Sequence, residues 1–172
     1  MVVRLLQERD FPRFIGLMDE YMVELFGKHT TLSREACLSD GFGRCFDAVV
    51  AERNGRLIGF GVWQGAYDIH WGIKGGNVMD LYVEPQYRGS GIALEMLVAI
   101  ANQVQHSDGV FLSGMAVDDE RVSRLYKRIA MGFKGEECIV GGRAFREFAS
   151  LHGRPAREMF RLLPTKEANY EP

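Results

Sequence analysis

Apolar residues recur along this chain with two different periods, and their alternation predicts a fold that mixes helices and strands. Short apolar runs bounded by turn-forming residues predict strands at residues 2–6, 47–53, 56–63, 77–83, 110–117, 133–140 and 158–163. Apolar side chains spaced three and four positions apart predict helices at residues 10–27, 33–38, 91–104, 118–132 and 144–151. No repeat or linker interrupts this order. We therefore expect one mixed α/β domain at residues 1–164, followed by a polar tail at 165–172.

Turn and cap residues mark several of these boundaries. Asn54-Gly55 lies between two apolar runs and predicts a type I′ hairpin, because that turn needs positive φ at both central positions. Asp10 is placed to cap the first long helix and Gly27 to end it. Residues 65–76 contain four glycines and are predicted to form a loop that gives a mobile approach to the next strand.

The composition excludes several classes of protein. Hydrophobic residues make up 47% and charged residues 26% of the 172 residues, which is ordinary for a globular domain. The 21 Lys and Arg nearly balance the 23 Asp and Glu, so no nucleic-acid partner is expected. Three cysteines and four histidines lack the spacing of a metal site. No signal peptide or membrane span is recognisable, which favours a cytoplasmic protein without a membrane partner.

The segment QYRGSG at residues 86–91 joins a predicted strand to the long apolar helix. Glycines let the backbone approach a ligand closely, and a helix N-terminus presents unpaired N–H groups at the positive end of its dipole. Such a segment suits an anion such as a phosphate, although simple strand-to-helix punctuation is the alternative. It lacks the lysine of a P-loop and the pattern of a dinucleotide fold.

This segment resembles the Gln/Arg-x-x-Gly-x-Gly/Ala signature of the GNAT superfamily of acetyl-CoA-dependent N-acetyltransferases. A second match covers a strand at residues 111–117, the tyrosine helix around Tyr126 and the closing Gly132-Phe133. The order of elements is similar to the family's over residues 2–163. The resemblance implies the α/β (α+β) GNAT fold: a central mixed, mostly antiparallel sheet of about seven strands, flanked by helices and splayed between strands 4 and 5.

The resemblance also implies acetyl-CoA as co-substrate and assigns backbone groups to it. The amides that would hold the pyrophosphate belong to Arg88, Gly89, Ser90, Gly91, Ile92 and Ala93. The exposed backbone of Leu81, Tyr82 and Val83 would pair with the pantetheine arm. Asp119 stands where the family commonly has an asparagine that contacts pantetheine.

Tyr126 would be the general acid that protonates the departing thiolate. A phenol with a pKa of about 10 can deliver a proton to a thiolate of similar basicity. The alternative role for Tyr126 is a core aromatic whose hydroxyl is hydrogen-bonded.

The acceptor amine must lose a proton, and Asp80 is the first candidate to take it. An acid inside an apolar strand is costly unless it is used or paired. Glu84, Asp68 and His70 are further candidates, and Glu24 on the first helix could line an amine site, although a solvated polar face is the alternative.

The residues around Asp68, Trp71 and Asp80 look similar to the diamine and polyamine acetyltransferase branch. Those enzymes carry Glu-Asp in the strand, and here Met79 takes the place of the glutamate. Polyamine specificity is therefore one of several possibilities.

These features predict an enzyme that acetylates a primary amine of a small molecule by direct attack in a ternary complex. The alternatives are acetylation of a peptide or protein amine, transfer of another acyl group, and a non-catalytic acyl-CoA-binding protein on the same scaffold. A homodimer is also compatible with the sequence, through the late strands and the aromatic-rich segment at residues 145–160.

Overall fold

The computed structural model describes residues 1–115, 120–129, 132–134 and 137–163. Within them, one sheet has the order β1-β2-β3-β4-β5-β7-β6. Its strands are β1 (Val2–Leu5), β2 (Asp47–Arg53), β3 (Arg56–Asp68), β4 (Ile73–Val83), β5 (Phe111–Met115), β6 (Gly132–Lys134) and β7 (Glu137–Gly141). Neighbouring strands are antiparallel except for β4 and β5, which run parallel. The predicted mixed, mostly antiparallel sheet is confirmed.

Helices cover both faces of this sheet. They are α1 (Phe11–Phe26), α2 (Arg34–Ala36), α3 (Ile92–His106), α4 (Glu120–Arg128), α5 (Gly142–Ala149) and α6 (Ala156–Leu162). Because side chains alternate along a strand, β2, β3 and β4 contribute to two cores. Phe14 of α1 packs with Phe60 and Tyr82 on one face. Leu97 of α3 and Val83 belong to the core on the other face.

The predicted strand at residues 158–163 is wrong, because these residues belong to helix α6 and its end. The buried Ala156, Met159 and Leu163 recur at helical spacing and share one face. The carboxylate of Glu95 on α3 accepts the N–H of Ala156 at 3.1 Å, which satisfies one of the free donors at the start of α6. The predicted strand at 133–140 is also divided, since β6 and β7 are separate antiparallel partners.

The predicted loop at residues 65–76 is wrong as well, because β3 and β4 continue as a paired hairpin to Asp68 and Ile73. A Cβ on Gly75 would lie 2.5 Å from the ring of Phe111, and one on Gly76 would lie 2.5 Å from Val104. These glycines therefore permit close packing of the hairpin on its neighbours.

The sheet opens beside β4. Val62 pairs with Asp80 and the next residue of β3 pairs with Val78, so Met79 forms a bulge. The pairing of β4 with β5 covers only Gly76 to Val78 within the described residues. Beyond it, β4 continues to Val83 without β5 as a neighbour, which is the splay expected between strands 4 and 5.

Residues 145–160 do not form the exposed aromatic surface that the sequence predicts, because their first two phenylalanines are buried. Phe145 and Phe148 of α5 are fully buried in the core shared with α3. Exposed apolar side chains lie instead on the β3–β4 hairpin, where Ile69 and Trp71 are prominent. A homodimer stays a prediction. Across the described residues, no helix combines the length and the apolar character needed to cross a bilayer.

Asp10 does not cap α1 as expected. Its carboxylate accepts hydrogen bonds from the Arg4 guanidinium at 2.6 and 2.9 Å and from the backbone N–H of Gln7 at 2.9 Å. Arg4 also pairs with Glu52 of β2 at 2.7 Å. Asp10 is buried, and the Arg4 guanidinium holds the pKa of that carboxyl below its usual range. This network fixes the start of α1 against the edge of the sheet.

Asp10→Asn is expected to lower the free energy of unfolding at pH 7 by about 1–2 kcal/mol, since it removes the charge and retains the size. Because the folded-state pKa is depressed, the stabilisation is present above the unfolded pKa of about 3.9 and is lost as the pH falls through the folded value. Urea unfolding from pH 7 to pH 3 should show the difference between variant and wild type shrinking. The exposed Asp40→Asn is the control, and a difference constant over this range would contradict the assignment.

Candidate active site

The segment between β4 and α3 presents a row of unpaired backbone donors. Within the described residues, no acceptor receives the N–H groups of residues 89–94. Gly89 and Gly91 adopt φ of +78° and +89°, which turns the chain sharply into the 15-residue α3. Unpaired N–H groups at the positive end of a long helix form a binding site for a phosphate-like anion.

The two glycines of this segment face different surroundings. A Cβ on Gly91 would lie 2.4 Å from the Cβ of Ala156, so α6 packs directly against the backbone there. A Cβ on Gly89 would meet nothing within 4 Å. Gly91 therefore serves the packing of the C-terminal helix, while Gly89 borders open space.

The Arg88 side chain points away from these donors. Its Nε donates to the carbonyl of Val83 at 2.8 Å, and its guanidinium donates to both oxygens of Glu24 at 2.9 and 2.7 Å. It also lies over the ring of Tyr82, 5.5 Å from the centroid. The bidentate contact lowers the pKa of Glu24. Glu24, expected near the amine, thus joins α1 to the segment that follows β4.

The free edge of β4 offers hydrogen-bonding groups from alternate residues. In an antiparallel ladder, successive residues of a strand direct their backbone groups alternately toward the partner strand and away from it. The N–H of Glu84 donates to the carbonyl of Ile58 at 2.9 Å, so Glu84 directs its backbone toward β3. By that alternation, Leu81 and Val83 direct their backbone groups away from β3 and into the splay, while Tyr82 uses its own on β3. The Val83 carbonyl is taken by Arg88, so among the described residues the backbone groups of Leu81 and the N–H of Val83 are the ones free to contact an extended ligand.

Tyr126 lies on α4 with its side chain 8% exposed. Burial, with a smaller effect of the Cys138 thiol, raises the pKa of Tyr126 to about 12, so the phenol is neutral at physiological pH. Among the described residues the hydroxyl has no hydrogen-bond partner. A neutral, unpaired phenol can donate a proton to a ligand. Asp119, expected to contact the same ligand, lies outside the described residues.

Asp80 is half-buried on the face of β4 that α1 covers. Its Oδ1 accepts a hydrogen bond from the hydroxyl of Tyr21 at 2.7 Å. Tyr21 escaped prediction from the sequence, although it lies three residues after Met18 on the apolar face of α1. An aromatic residue with a polar tip on such a face is the signal that could have identified it.

The remaining sequence candidates are separated from Asp80. Asp68 pairs with Ile73 at the far end of the hairpin, about 20 Å from Asp80 along the strand. The backbone N–H of His70 donates to Asp68 at 2.9 Å, and the His70 ring is exposed. The structure therefore does not bring Asp68 and His70 to Asp80 within one chain.

Glu84 is buried and engaged. Its Oε1 accepts from Arg13 at 2.6 Å and from Arg56 at 2.5 Å. Its Oε2 is buried and has no partner within the described part of the chain. Glu84 therefore ties α1 and β3 to the end of β4, a role that leaves it poorly placed to receive a proton from a ligand. No cluster of three or more metal-binding side chains occurs among the described residues.

Comparison with known proteins gives consistent results. Residues 44–134 match the family model described as acetyltransferase (GNAT) domain. The thialysine N-epsilon-acetyltransferase of Bos taurus is 29% identical over 169 residues, covering 87% of this chain and 97% of that protein. The enzyme of the same name from Mus musculus is 30% identical over 162 residues, covering 87% and 89%.

Two solved structures share the fold. A ribosomal-protein-alanine N-acetyltransferase from Brucella melitensis biovar Abortus 2308 is 26% identical, with a TM-score of 0.62 over 77% of this chain and 93% of that chain. An aminoglycoside acetyltransferase from an uncultured soil metagenomic sample, in complex with sisomicin, has a TM-score of 0.63 over 72% and 83%. At 17% identity the latter likeness concerns the fold alone.

Proposed function

Because this chain belongs to the GNAT family of acetyl-CoA-dependent N-acetyltransferases, we propose that it acetylates a primary amine of a small molecule. The proposal is supported above all by one arrangement. The backbone groups of Leu81 and the N–H of Val83 lie on β4, the strand that carries Asp80, and the unpaired N–H groups at residues 89–94 follow the end of that strand. Going along β4 and past its end, the chain thus offers a carboxylate for the amine, a free edge for an extended arm, and a group of N–H donors for an anion.

In the proposed complex the pyrophosphate of acetyl-CoA lies on the donors between Gly89 and Ala93. The pantetheine arm adds to β4 at Leu81 and Val83, as an extended strand would. The thioester then lies where β4 and β5 separate, next to the bulge at Met79. Backbone N–H groups at this position can polarise the thioester carbonyl.

The proposed reaction is direct attack within a ternary complex. The acceptor arrives as an ammonium ion and gives one proton to Asp80, directly or through a water molecule. The neutral nitrogen attacks the carbonyl carbon, the C–N bond forms and the C–S bond breaks. Tyr126 gives its proton to the leaving thiolate, and the nitrogen then releases its second proton as the amide forms, which returns a proton to the Tyr126 phenolate through solvent. The residues contribute proximity and the control of two protons.

A small amine is supported as acceptor by the relatives from Bos taurus and Mus musculus, which are thialysine N-epsilon-acetyltransferases. Met79, 48% exposed, and Met115, 60% exposed, follow the last paired residues of β4 and β5. The second candidate is a protein amine, favoured by the likeness at 26% identity to the ribosomal-protein-alanine enzyme.

Two measurements test the proposal. Acetyl-CoA at millimolar concentration should raise the melting temperature, because it binds the folded state alone. Thiol release should then be measured with thialysine, lysine, spermidine, an aminoglycoside and a peptide with an N-terminal alanine. Turnover of a free amine above the peptide supports the proposal. A thermal shift without turnover of any acceptor would favour a binding protein, and turnover of the peptide alone would favour the second candidate.

A further inference from the structure

A tyrosine of α1 is joined directly to the strand carboxylate of the candidate site. The Tyr21 hydroxyl donates to Asp80 Oδ1 at 2.7 Å across a separation of 59 residues in sequence. Asp80 follows the bulge of β4 and precedes Leu81, whose backbone faces the splay. The contact therefore lies at the point where an acceptor would meet the thioester.

The Tyr21 ring is held by other aromatic rings. It meets the ring of Phe60 edge-on at 5.9 Å and that of Tyr82 at 5.7 Å. Both rings are buried in the sheet, so the position of the Tyr21 hydroxyl is fixed by packing. Its hydrogen bond in turn restricts the Asp80 carboxylate to one orientation.

Only one oxygen of Asp80 is used in this contact. Among the described residues, the one buried side-chain oxygen without a partner is Oε2 of Glu84. Asp80 Oδ2 is therefore neither sealed in the core nor engaged by the described residues. It remains available to a cation from outside.

The charged groups around this pair are otherwise neutralised. Glu20 of α1 is paired with Arg13 at 2.7 Å and Glu24 with Arg88 at 2.7 Å. Burial, followed by the hydrogen bond to Asp80, raises the pKa of Tyr21, and the charge of Tyr126 on α4 acts in the same direction. Tyr21 thus remains a neutral donor, and among the described residues Asp80 is the carboxylate of this group that lacks a cationic partner.

We propose that Tyr21 is a positioning residue, which holds Oδ1 of Asp80 so that Oδ2 meets the ammonium group of the acceptor and takes its proton. The inference rests on the proposed function, since it assumes an amine acceptor.

Tyr21→Phe tests this role, because it removes the hydroxyl and retains the ring. The kcat/KM for the amine should fall about tenfold, as expected when a hydrogen bond to a charged group is lost. The Kd for acetyl-CoA should not change. Tyr67→Phe, which alters an exposed hairpin tyrosine, is the matched control.

A measurement without turnover separates this inference from the proposed function. Carboxyl resonances of the protein labelled with 13C-aspartate, assigned with Asp80→Asn, report the surroundings of the Asp80 carboxylate directly. A displaced Asp80 resonance in Tyr21→Phe, with the other aspartate resonances unmoved, supports the inference even if no amine in the panel is a substrate. An unchanged Asp80 resonance, or a further fall in kcat/KM when Tyr21→Phe is added to Asp80→Asn, would overturn it. When Tyr21→Phe is added to Asp80→Asn, the kcat/KM for the amine should not fall further than in Asp80→Asn alone.

Discussion

Tyr126→Phe is expected to lower kcat by about a hundredfold or more, because a positioned general acid contributes about 10²–10⁴ to a rate. The phenol is neutral and has no partner among the described residues, so its proton is available to the thiolate. The substitution keeps the buried ring, and the Kd for acetyl-CoA should therefore change little. Steady-state kinetics and calorimetric titration give the two quantities separately.

The control for this variant is Tyr87→Phe. Tyr87 keeps its ring against the core shared with α3, and its hydroxyl has no partner among the described residues. Both variants thus lose one hydroxyl and leave their packing intact. An unchanged kcat in Tyr126→Phe would remove its role as acid and leave Tyr126 as a core aromatic residue.

Gly89→Ala is expected to raise the Kd for acetyl-CoA by about tenfold, because a side chain at this position projects into the space bordering the unpaired donors. The φ of +78° adds about 1 kcal/mol of strain, which lowers the melting temperature slightly. Gly91 would be a poorer probe, since a Cβ there collides with Ala156 and disturbs α6.

Gly27→Ala is the matched control for strain. Gly27 ends α1 with a φ of +63°, and a Cβ on it would also meet nothing within 4 Å. It should lose similar stability and bind acetyl-CoA normally. A second test uses S-acetylpantetheine, which lacks the pyrophosphate: Gly89→Ala and wild type should turn it over equally. An equal loss with both acyl donors would contradict the assignment of the pyrophosphate to this segment.

The sequence indicated the fold well, and it failed at the ends of the elements. The paired hairpin at residues 65–76 was predicted as a loop because its glycines are more often a signal of a loop. In the structure, Gly75 and Gly76 instead permit close packing of β4 against Phe111 and Val104. Helix α6 was missed because its apolar residues are few and its N-terminus is satisfied by Glu95, distant in sequence.

The carboxylates show most clearly what could not be read from sequence. Four acids were candidates for the amine site, and only the packing separates them. Glu24 is bound to Arg88, Glu84 to two arginines, and Asp68 lies at the far end of the hairpin. Of the four, and within the described part of the chain, Asp80 alone accepts from a neutral donor on one oxygen and keeps its second oxygen without a partner. The role of each in catalysis stays a prediction.

The sequence by itself determined the order of helices and strands, the glycine-rich segment at the start of α3 and the membership of the family. These features are local, because a turn, a helix N-terminus and an apolar period are each encoded within a few consecutive residues. The tertiary structure alone decided which acid is free, which tyrosine holds it and which glycine borders open space. Those properties depend on contacts between residues far apart in the chain, such as Tyr21 and Asp80 or Glu24 and Arg88, and the long-range packing of α1 on the sheet creates them.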